Sequence, residues 1–189
     1  MGRGMSASPY RPQFEAALRL LAQVSQAMHE RGLPRPILVG GAAAEFYSQS
    51  AINTGDFDLC TVWQEELEEE MRKAGFVRPS GAGQSTRGWV HPDLQLGFEV
   101  VADTPMDGNI EPSRLRLIEP EGGTARFRII SVEDLIADRM GQYASGTAAD
   151  RLEQARILFT LHPQADRAYL DRRIREESMG DYGLEDLTD

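Results

Sequence analysis

The amino-acid sequence predicts an α+β fold in which a mixed β-sheet is flanked by helices and followed by a helical C-terminal part. Three observations indicate this class. Short apolar runs bounded by glycine alternate with segments of helical periodicity over residues 12–102. A stretch that resembles a hairpin, with a Gly122-Gly123 pair, follows, and helical patterns then cover residues 132–177. With 189 residues, 41% of them hydrophobic, the chain is long enough for one sizeable core.

The first part of the chain predicts a helix, a strand, a helix and a second strand. Residues 12–31 form an amphipathic helix that ends at Gly32 and Pro34, and its apolar residues recur at helical spacing: Phe14, Leu18, Leu21, Val24 and Met28. The run "RPILVGG" is typical of a buried strand that leads into a helix beginning at Gly41 or Ala42. The run "DFDLCTV" then predicts the second strand.

The remaining elements follow from similar patterns. We expect a helix over "WQEELEEEMRKAGF", strands near residues 87–91 and 94–102, a hairpin over 113–130, and helices over 132–143, 147–161 and 164–177. These elements suggest a division into a mobile N-terminus (1–10), an α/β core (11–130), C-terminal helices packed on that core (131–177) and a mobile acidic tail (178–189).

The composition excludes several classes of function. The formal net charge is −10, from 30 acidic and 20 basic residues, which disfavours a broad binding surface for nucleic acid. The only lysine, Lys73, does not follow a glycine-rich loop, so a P-loop is excluded. The only cysteine, Cys60, excludes an intramolecular disulfide and a multi-cysteine zinc site. No apolar run approaches the roughly 20 residues of a membrane span, so we expect a cytoplasmic protein without membrane contact.

A glycine pair precedes two alternating aspartates in "VGGAAAEFYSQSAINTGDFDLCT". Gly40 and Gly41 stand where a strand meets a helix N-terminus, an arrangement that lets phosphate approach main-chain N–H groups. Alternation along a strand puts Asp56 and Asp58 on one face, about 6.5 Å apart. Paired carboxylates on a rigid strand suit Mg²⁺. The alternatives are a simple tight turn at the glycines and an exposed strand with two solvated aspartates.

Glu99 is the candidate for a third carboxylate on the same face. It lies between the apolar residues Phe98 and Val100, so its side chain points away from the core. If its strand pairs beside the aspartate strand, three acids meet and two metal ions could be held for a phosphoryl transfer. Asp93 and Asp103 compete for this role, although turn positions also explain them.

The segment "ILVGGAAAEFYSQSAINTGDFDL" resembles the signature of the nucleotidyltransferase superfamily that includes DNA polymerase β and the minimal nucleotidyltransferases. The similarity is closest to the bacterial branch with abortive-infection and toxin–antitoxin nucleotidyltransferases, and "SVEDLIADRM…ADRLEQARIL" resembles the helical part of that branch. Together the match covers residues 36–160.

The resemblance implies a role for each matching residue. Gly40 and Gly41 would contact nucleotide phosphates, and the three acids Asp56, Asp58 and Glu99 would be catalytic residues that bind Mg²⁺ or Mn²⁺. Two departures from the pattern are an alanine, Ala42, where many active members have serine, and a glutamate as the third acid, where aspartate is common.

One arginine falls on an apolar helix face. Arg139 lies near the centre of the stripe formed by Val132, Leu135, Ile136, Met140 and Tyr143. The resemblance implies that it reaches the triphosphate, and the alternative is a structural ion pair or a side chain that extends to solvent. Four hairpin arginines are expected on a solvated face, with one basic face for RNA or an acidic partner as the alternative: Arg114, Arg116, Arg126 and Arg128.

The resemblance therefore implies a metal-dependent enzyme that transfers a nucleoside monophosphate from a nucleoside triphosphate to an acceptor hydroxyl. The acceptor could be RNA, protein or a small molecule, and a small toxin or antitoxin partner would fit a toxin–antitoxin or phage-defence setting. The alternative is a fold of this class that binds or neutralises a partner without turnover.

Overall fold

A computed structural model describes residues 8–79 and 88–188, and its centre is a mixed sheet of six strands. The strands are β1 (Ile37–Val39), β2 (Asp56–Cys60), β3 (Trp89–Val90), β4 (Gly97–Ala102), β5 (Arg116–Ile118) and β6 (Phe127–Ile129). The α-helices of the described residues are α1 (Pro12–Glu30), α2 (Gly40–Ser48), α3 (Gln64–Lys73), α4 (Val132–Ala144), α5 (Arg151–Leu161) and α6 (Arg167–Glu177).

The strands are ordered β3-β4-β2-β1-β6-β5 across the sheet. Strand β1 pairs antiparallel with β2 and parallel with β6, and β2 pairs parallel with β4. The α+β class with a mixed sheet is therefore confirmed. This order places the aspartate strand, β2, inside the sheet, directly beside the strand that carries Glu99.

One face of the sheet is apolar and packs against α1. Leu38, Phe57 and Phe98 on this face are each at most 2% exposed. The rings of Phe57 and Phe98 stack with centroids 4.5 Å apart, and Phe14 of α1 lies 5.3 Å from Phe57. Because side chains alternate along β2, burying Phe57 and its neighbours turns the aspartates to the opposite face.

The C-terminal helices are joined by a buried ionic network. The side chains of Asp134 in α4 and Arg173 in α6 are each 1% exposed, and Arg173 Nε donates to Asp134 Oδ1 at 2.9 Å. The hydroxyls of Tyr169 and Ser131 also donate to the Asp134 carboxylate, at 2.8 and 2.7 Å. The network fixes α6 against α4 and leaves neither charge of the pair without a partner.

The chain termini differ from the sequence prediction. The tail predicted to be mobile at 178–189 instead packs on the C-terminal helices as far as residue 188: Leu187 is 4% exposed, and Arg156 donates two hydrogen bonds to the Asp186 carbonyl. Tyr10, in the N-terminal segment predicted to be mobile at 1–10, stacks on Phe46. Residues 1–7 and 189 lie outside the described residues. The prediction was wrong because it relied on the acidic composition of the tail, in which only a few apolar side chains provide the packing.

Two smaller predictions also need correction. The helix expected over 147–161 begins only at Arg151, and the strand expected over 87–91 is limited to Trp89–Val90, with residue 87 outside the described residues. The alternative of one basic face on the hairpin is wrong. Arg116 pairs with Ile129, and Arg128 pairs with Leu117, so these two arginines lie on opposite faces of the sheet. Two others are ion-paired: Arg114 with Asp166, and Arg126 with Glu119.

Within the described residues, none of the helices combines the length and apolar character needed to cross a bilayer.

Replacing Asp134 by alanine should unfold the protein more easily, because it leaves the Arg173 guanidinium buried without its main partner. We expect a loss of about 3–5 kcal/mol in the free energy of unfolding, measured by urea denaturation. The matched control is Glu176→Ala, which removes the 45%-exposed partner of the same arginine and should cost less than about 1 kcal/mol. Equal losses for the two variants would contradict the central role of Asp134.

Candidate functional site

Three acidic side chains lie on the same face of neighbouring strands. Asp56 and Asp58 share the non-apolar face of β2, and Asp58 is in register with Glu99 on the parallel strand β4. Registered partners point to the same side of a sheet, and neighbouring strands are about 4.8 Å apart. The structure therefore places the three residues on one face, as the strand pairing assumed from sequence requires.

The Asp58 carboxylate is turned toward the N-terminus of α2. The backbone N–H of Gly41 faces this carboxylate and acts to lower its pKa. Gly40 has a φ of 64°, a left-handed conformation, and a Cβ at this position would overlap the Asp58 carboxylate. Glycine is thus needed at residue 40 for both backbone conformation and close approach. The partial positive charge of the helix N-terminus stabilises the carboxylate that it contacts.

The Asp56 carboxylate is turned the other way, toward β4. Its Oδ1 lies so close to Gly97 that a side chain at residue 97 would collide with it. Asp56 is exposed, whereas Asp58 and Glu99 are half-buried. Because the two aspartate carboxylates diverge, residues 8–79 and 88–188 contain no group of three or more His, Cys, Asp or Glu side chains that converges as a metal site.

Burial raises the pKa of Asp58 above the ordinary aspartate value, and the charges of Asp56 and Glu99 raise it further. The Gly41 N–H group and the charge of Arg139 act in the opposite direction, but they do not cancel the effect. The strand thus holds a carboxylate at an energetic cost, which is a common property of functional sites.

Two hollows lie on either side of the acids. The first has a volume of about 270 Å³ and is lined by Gly40, Asp58, Cys60, Asp138 and Gln142 together with apolar side chains. Its wall includes Met106 and Asp107, whose φ angles of 48° and 53° are unusual for residues other than glycine. The second hollow, of about 460 Å³, is lined by Asp56, Trp89, Gly97 and Glu99.

Cys60 is the third residue of β2 on the acidic face. It is 3% exposed, and burial together with Asp58 and other nearby acids raises the pKa of its thiol to about 12. Cys60 is therefore a small core residue.

Arg139 is buried beside the first hollow, with its guanidinium incompletely hydrogen-bonded. Its side chain is 3% exposed, Nη1 donates to Gln142 Oε1 at 3.2 Å, and Asp138 Oδ2 lies 3.6 Å away. Nε and Nη2 have no partner within the described part of the chain. Burial lowers the pKa of Arg139, while the charges of Asp138 and Asp58 raise it. A buried guanidinium with two unused donors is suited to an anion.

The sequence interpretation missed Asp138 and Gln142. Both line the first hollow, and Gln142 Nε2 donates to Asp138 Oδ2 at 2.9 Å. Their spacing of four residues, on either side of Arg139, could have indicated a shared helix face. The competing acids Asp93 and Asp103 line neither hollow. Ala42 is completely buried, so the position after the glycines belongs to the core.

The mixed sheet, the glycine turn into α2 and the acids on β2 and β4 together define a nucleotidyltransferase-like fold. Among solved structures, the chain is similar to an antigenic nucleotidyltransferase-like protein from Paracoccidioides brasiliensis. The TM-score is 0.60 with 15% sequence identity, over 91% of this chain and 90% of that one. No protein-family model matches the chain, and no curated protein matches its sequence. The structural similarity establishes the fold.

The variant Asp58→Asn should be more stable than the unmodified protein at pH 7. Because the folded state raises the pKa of Asp58, ionising this carboxyl costs more in the folded than in the unfolded chain. The advantage of asparagine should therefore shrink as the pH falls toward about 4, where the unfolded carboxyl also becomes protonated. Urea unfolding across this range measures the difference, with the exposed-turn variant Asp93→Asn as control. A stability difference that did not change with pH would contradict the assignment.

Proposed function

We propose that the protein is a metal-dependent nucleotidyltransferase that transfers a nucleoside monophosphate from a nucleoside triphosphate to an acceptor hydroxyl. The observation that carries the proposal is the register of Asp58 with Glu99, which puts both carboxylates and Asp56 on one sheet face. The N-terminus of α2 begins at the edge of the same group. Carboxylates for metal and backbone N–H groups for phosphate are the two components that such a transfer needs.

The donor chemistry fits Mg²⁺ or Mn²⁺. Both ions prefer carboxylate oxygens, and Asp56, Asp58 and Glu99 provide them from two adjacent, well-ordered strands. The carboxylates are turned apart in the structure, so ion binding requires their side chains to reorient. A bound ion would neutralise phosphate charge and reduce the repulsion that Asp56 and Glu99 exert on Asp58.

Phosphate binding is assigned in this proposal to Gly40, Gly41 and Arg139. The Gly41 N–H group lowers the pKa of the Asp58 carboxylate and therefore has the polarity that a phosphate oxygen requires. Arg139 contacts Asp138 and Gln142, which line the first hollow, and its two unused donors match the acceptors of a phosphate.

The acceptor and the biological setting are further parts of the proposal. RNA, protein and small-molecule hydroxyls all suit the chemistry, and the sequence resemblance supports a toxin–antitoxin or phage-defence setting. A small toxin or antitoxin partner would accompany that setting.

A second candidate function is a binding module of the same fold that does not catalyse transfer. The divergence of Asp56 and Asp58, and the contact between Asp58 and the N-terminus of α2, favour this alternative because both keep the acids from converging. It predicts a partner complex that forms without metal ion or nucleotide.

The metal-dependent activity can be tested directly. We expect the protein to bind a nucleoside triphosphate only with Mg²⁺ or Mn²⁺, and to release pyrophosphate when a competent acceptor is present. Asp56→Asn and Asp58→Asn should each lower turnover by at least about a hundredfold, since each removes a charged metal ligand. Titration calorimetry and a pyrophosphate assay measure the two steps, with Asp93→Asn as control. Triphosphate binding that was independent of metal would contradict the proposal.

Arg139→Met separates a ligand-binding role from a structural one. If Arg139 contacts phosphate, the variant should weaken triphosphate binding about ten- to hundredfold. Its stability should be unchanged or higher, because an incompletely bonded buried charge has been removed. The control is Arg156→Met. The Arg156 guanidinium donates to the Asp186 carbonyl, so this variant should lower stability without changing triphosphate binding. A loss of stability in Arg139→Met with unchanged binding would show a structural role.

A further inference from the structure

A buried carboxylate on α2 connects three separate parts of the chain. Glu45 is completely buried, and it accepts two hydrogen bonds from Arg11, at 2.6 Å from Nε and 2.9 Å from Nη2. It also accepts from the hydroxyl of Ser50 at 3.0 Å and from the backbone N–H of Thr54 at 2.7 Å. The start of α1, the body of α2 and the loop before β2 therefore meet at one charge.

Thr54 is held through each of its polar groups. Its N–H group donates to Glu45, and its carbonyl accepts from Arg11 Nη2. Its hydroxyl donates to the Asp56 carbonyl at 3.0 Å and accepts from the Asp56 N–H at 3.3 Å. Thr54 thus connects the buried Glu45–Arg11 pair to the backbone of the first site aspartate.

The contact between this loop and α2 is also unusually close. A Cβ at Gly41 would lie 2.5 Å from the Thr54 hydroxyl oxygen, which real Cβ atoms do not approach. Gly41 is therefore needed so that Thr54 can lie against the first turn of α2. The N–H of the same glycine faces Asp58, so Thr54 and Asp58 both lie against the first turn of α2.

A buried carboxylate such as Glu45, whose partner Arg11 is half-buried, is a costly way to hold a loop. The desolvation cost of a buried charge often equals or exceeds its electrostatic gain, so an apolar contact could stabilise the fold as well. An ionic contact instead restricts the relative orientation of the two side chains, since a carboxylate and a guanidinium form paired hydrogen bonds in one plane.

We propose that Glu45 and Thr54 are positioning residues that fix the backbone from which the Asp56 and Asp58 side chains turn toward metal and triphosphate, an inference that depends on the proposed function. In this proposal neither Glu45 nor Thr54 binds the metal ion or the triphosphate itself. Arg11 fixes the Glu45 carboxylate, Glu45 fixes the Thr54 backbone, and the Thr54 hydroxyl fixes the start of β2. Replacing a residue that orients a metal ligand commonly lowers the metal affinity by about 10- to 100-fold.

The test compares two similar hydroxyl deletions at opposite ends of β2. Thr54→Val removes the bonds to Asp56, while Thr61→Val removes a hydroxyl that accepts from the Trp63 N–H at 3.0 Å, beyond the far end of the strand. Binding of Mn²⁺ in the presence of ATP is measured by electron paramagnetic resonance, and thermal unfolding is measured on the same samples. Thr54→Ser, which retains the hydroxyl, and Glu45→Gln complete the set.

We expect Thr54→Val to weaken Mn²⁺ binding about tenfold and Thr61→Val to change it less than about twofold, at similar losses in Tm. Thr54→Ser should recover most of the affinity, and Glu45→Gln should weaken it at least as much as Thr54→Val.

Each other result has a definite meaning. If the unmodified protein binds Mn²⁺ with ATP but Thr54→Val and Thr61→Val lose equal affinity, the positioning role is wrong and the proposed function stands. If Glu45→Gln does not fold, the comparison of Thr54→Val with Thr54→Ser and Thr61→Val decides whether the positioning role is correct. If the unmodified protein does not bind Mn²⁺ with ATP, the proposed function fails, and the positioning role fails with it.

Discussion

The close approach of strand β2 to the first turn of helix α2 is the constraint on which the site depends. The contact brings the half-buried carboxylate of Asp58 against the first turn of the helix and removes space for a side chain at Gly40, while Thr54 just before the strand removes it at Gly41. The helix N-terminus offsets part of the cost of burying this charge. The glycine pair and the aspartate pair are therefore one structural unit, because neither could hold its present position without the other.

The buried charges of the molecule differ in how completely they are satisfied. The pair of Asp134 and Arg173 is surrounded by partners, and the pair of Glu45 and Arg11 is similarly complete. Arg139 is the exception, since two of its three nitrogens have no partner within the described residues. The well-satisfied pairs join helices and loops, whereas the poorly satisfied cation lies beside the hollow that Asp58 lines. This contrast separates charges with complete hydrogen bonding from one whose buried donors have no partner within the described residues.

Much of the fold followed from local sequence patterns, and the missing parts required long-range information. Helical spacing found α1, and alternation put Asp56 and Asp58 on one face, because both patterns depend only on neighbouring residues. Placing Glu99 on that face depended on the pairing of β2 with β4, which the sequence analysis had to assume. The directions of the two aspartate carboxylates could not be predicted, since they depend on how closely α2 and β4 approach β2. The roles of Glu45 and Thr54 were also hidden, because their contacts involve Arg11, more than 30 residues earlier in the chain. The packed tail was missed because composition alone does not reveal a docking site for Leu187.

The environment of Cys60 has a consequence for how the acidic face responds to oxidants. This residue is the only thiol in the sequence and lies two positions from Asp58 on the same side of β2. Thiol oxidation proceeds through the thiolate, and a pKa raised to about 12 leaves very little thiolate at neutral pH. Burial and the neighbouring carboxylates therefore disfavour oxidation of this thiol by peroxide.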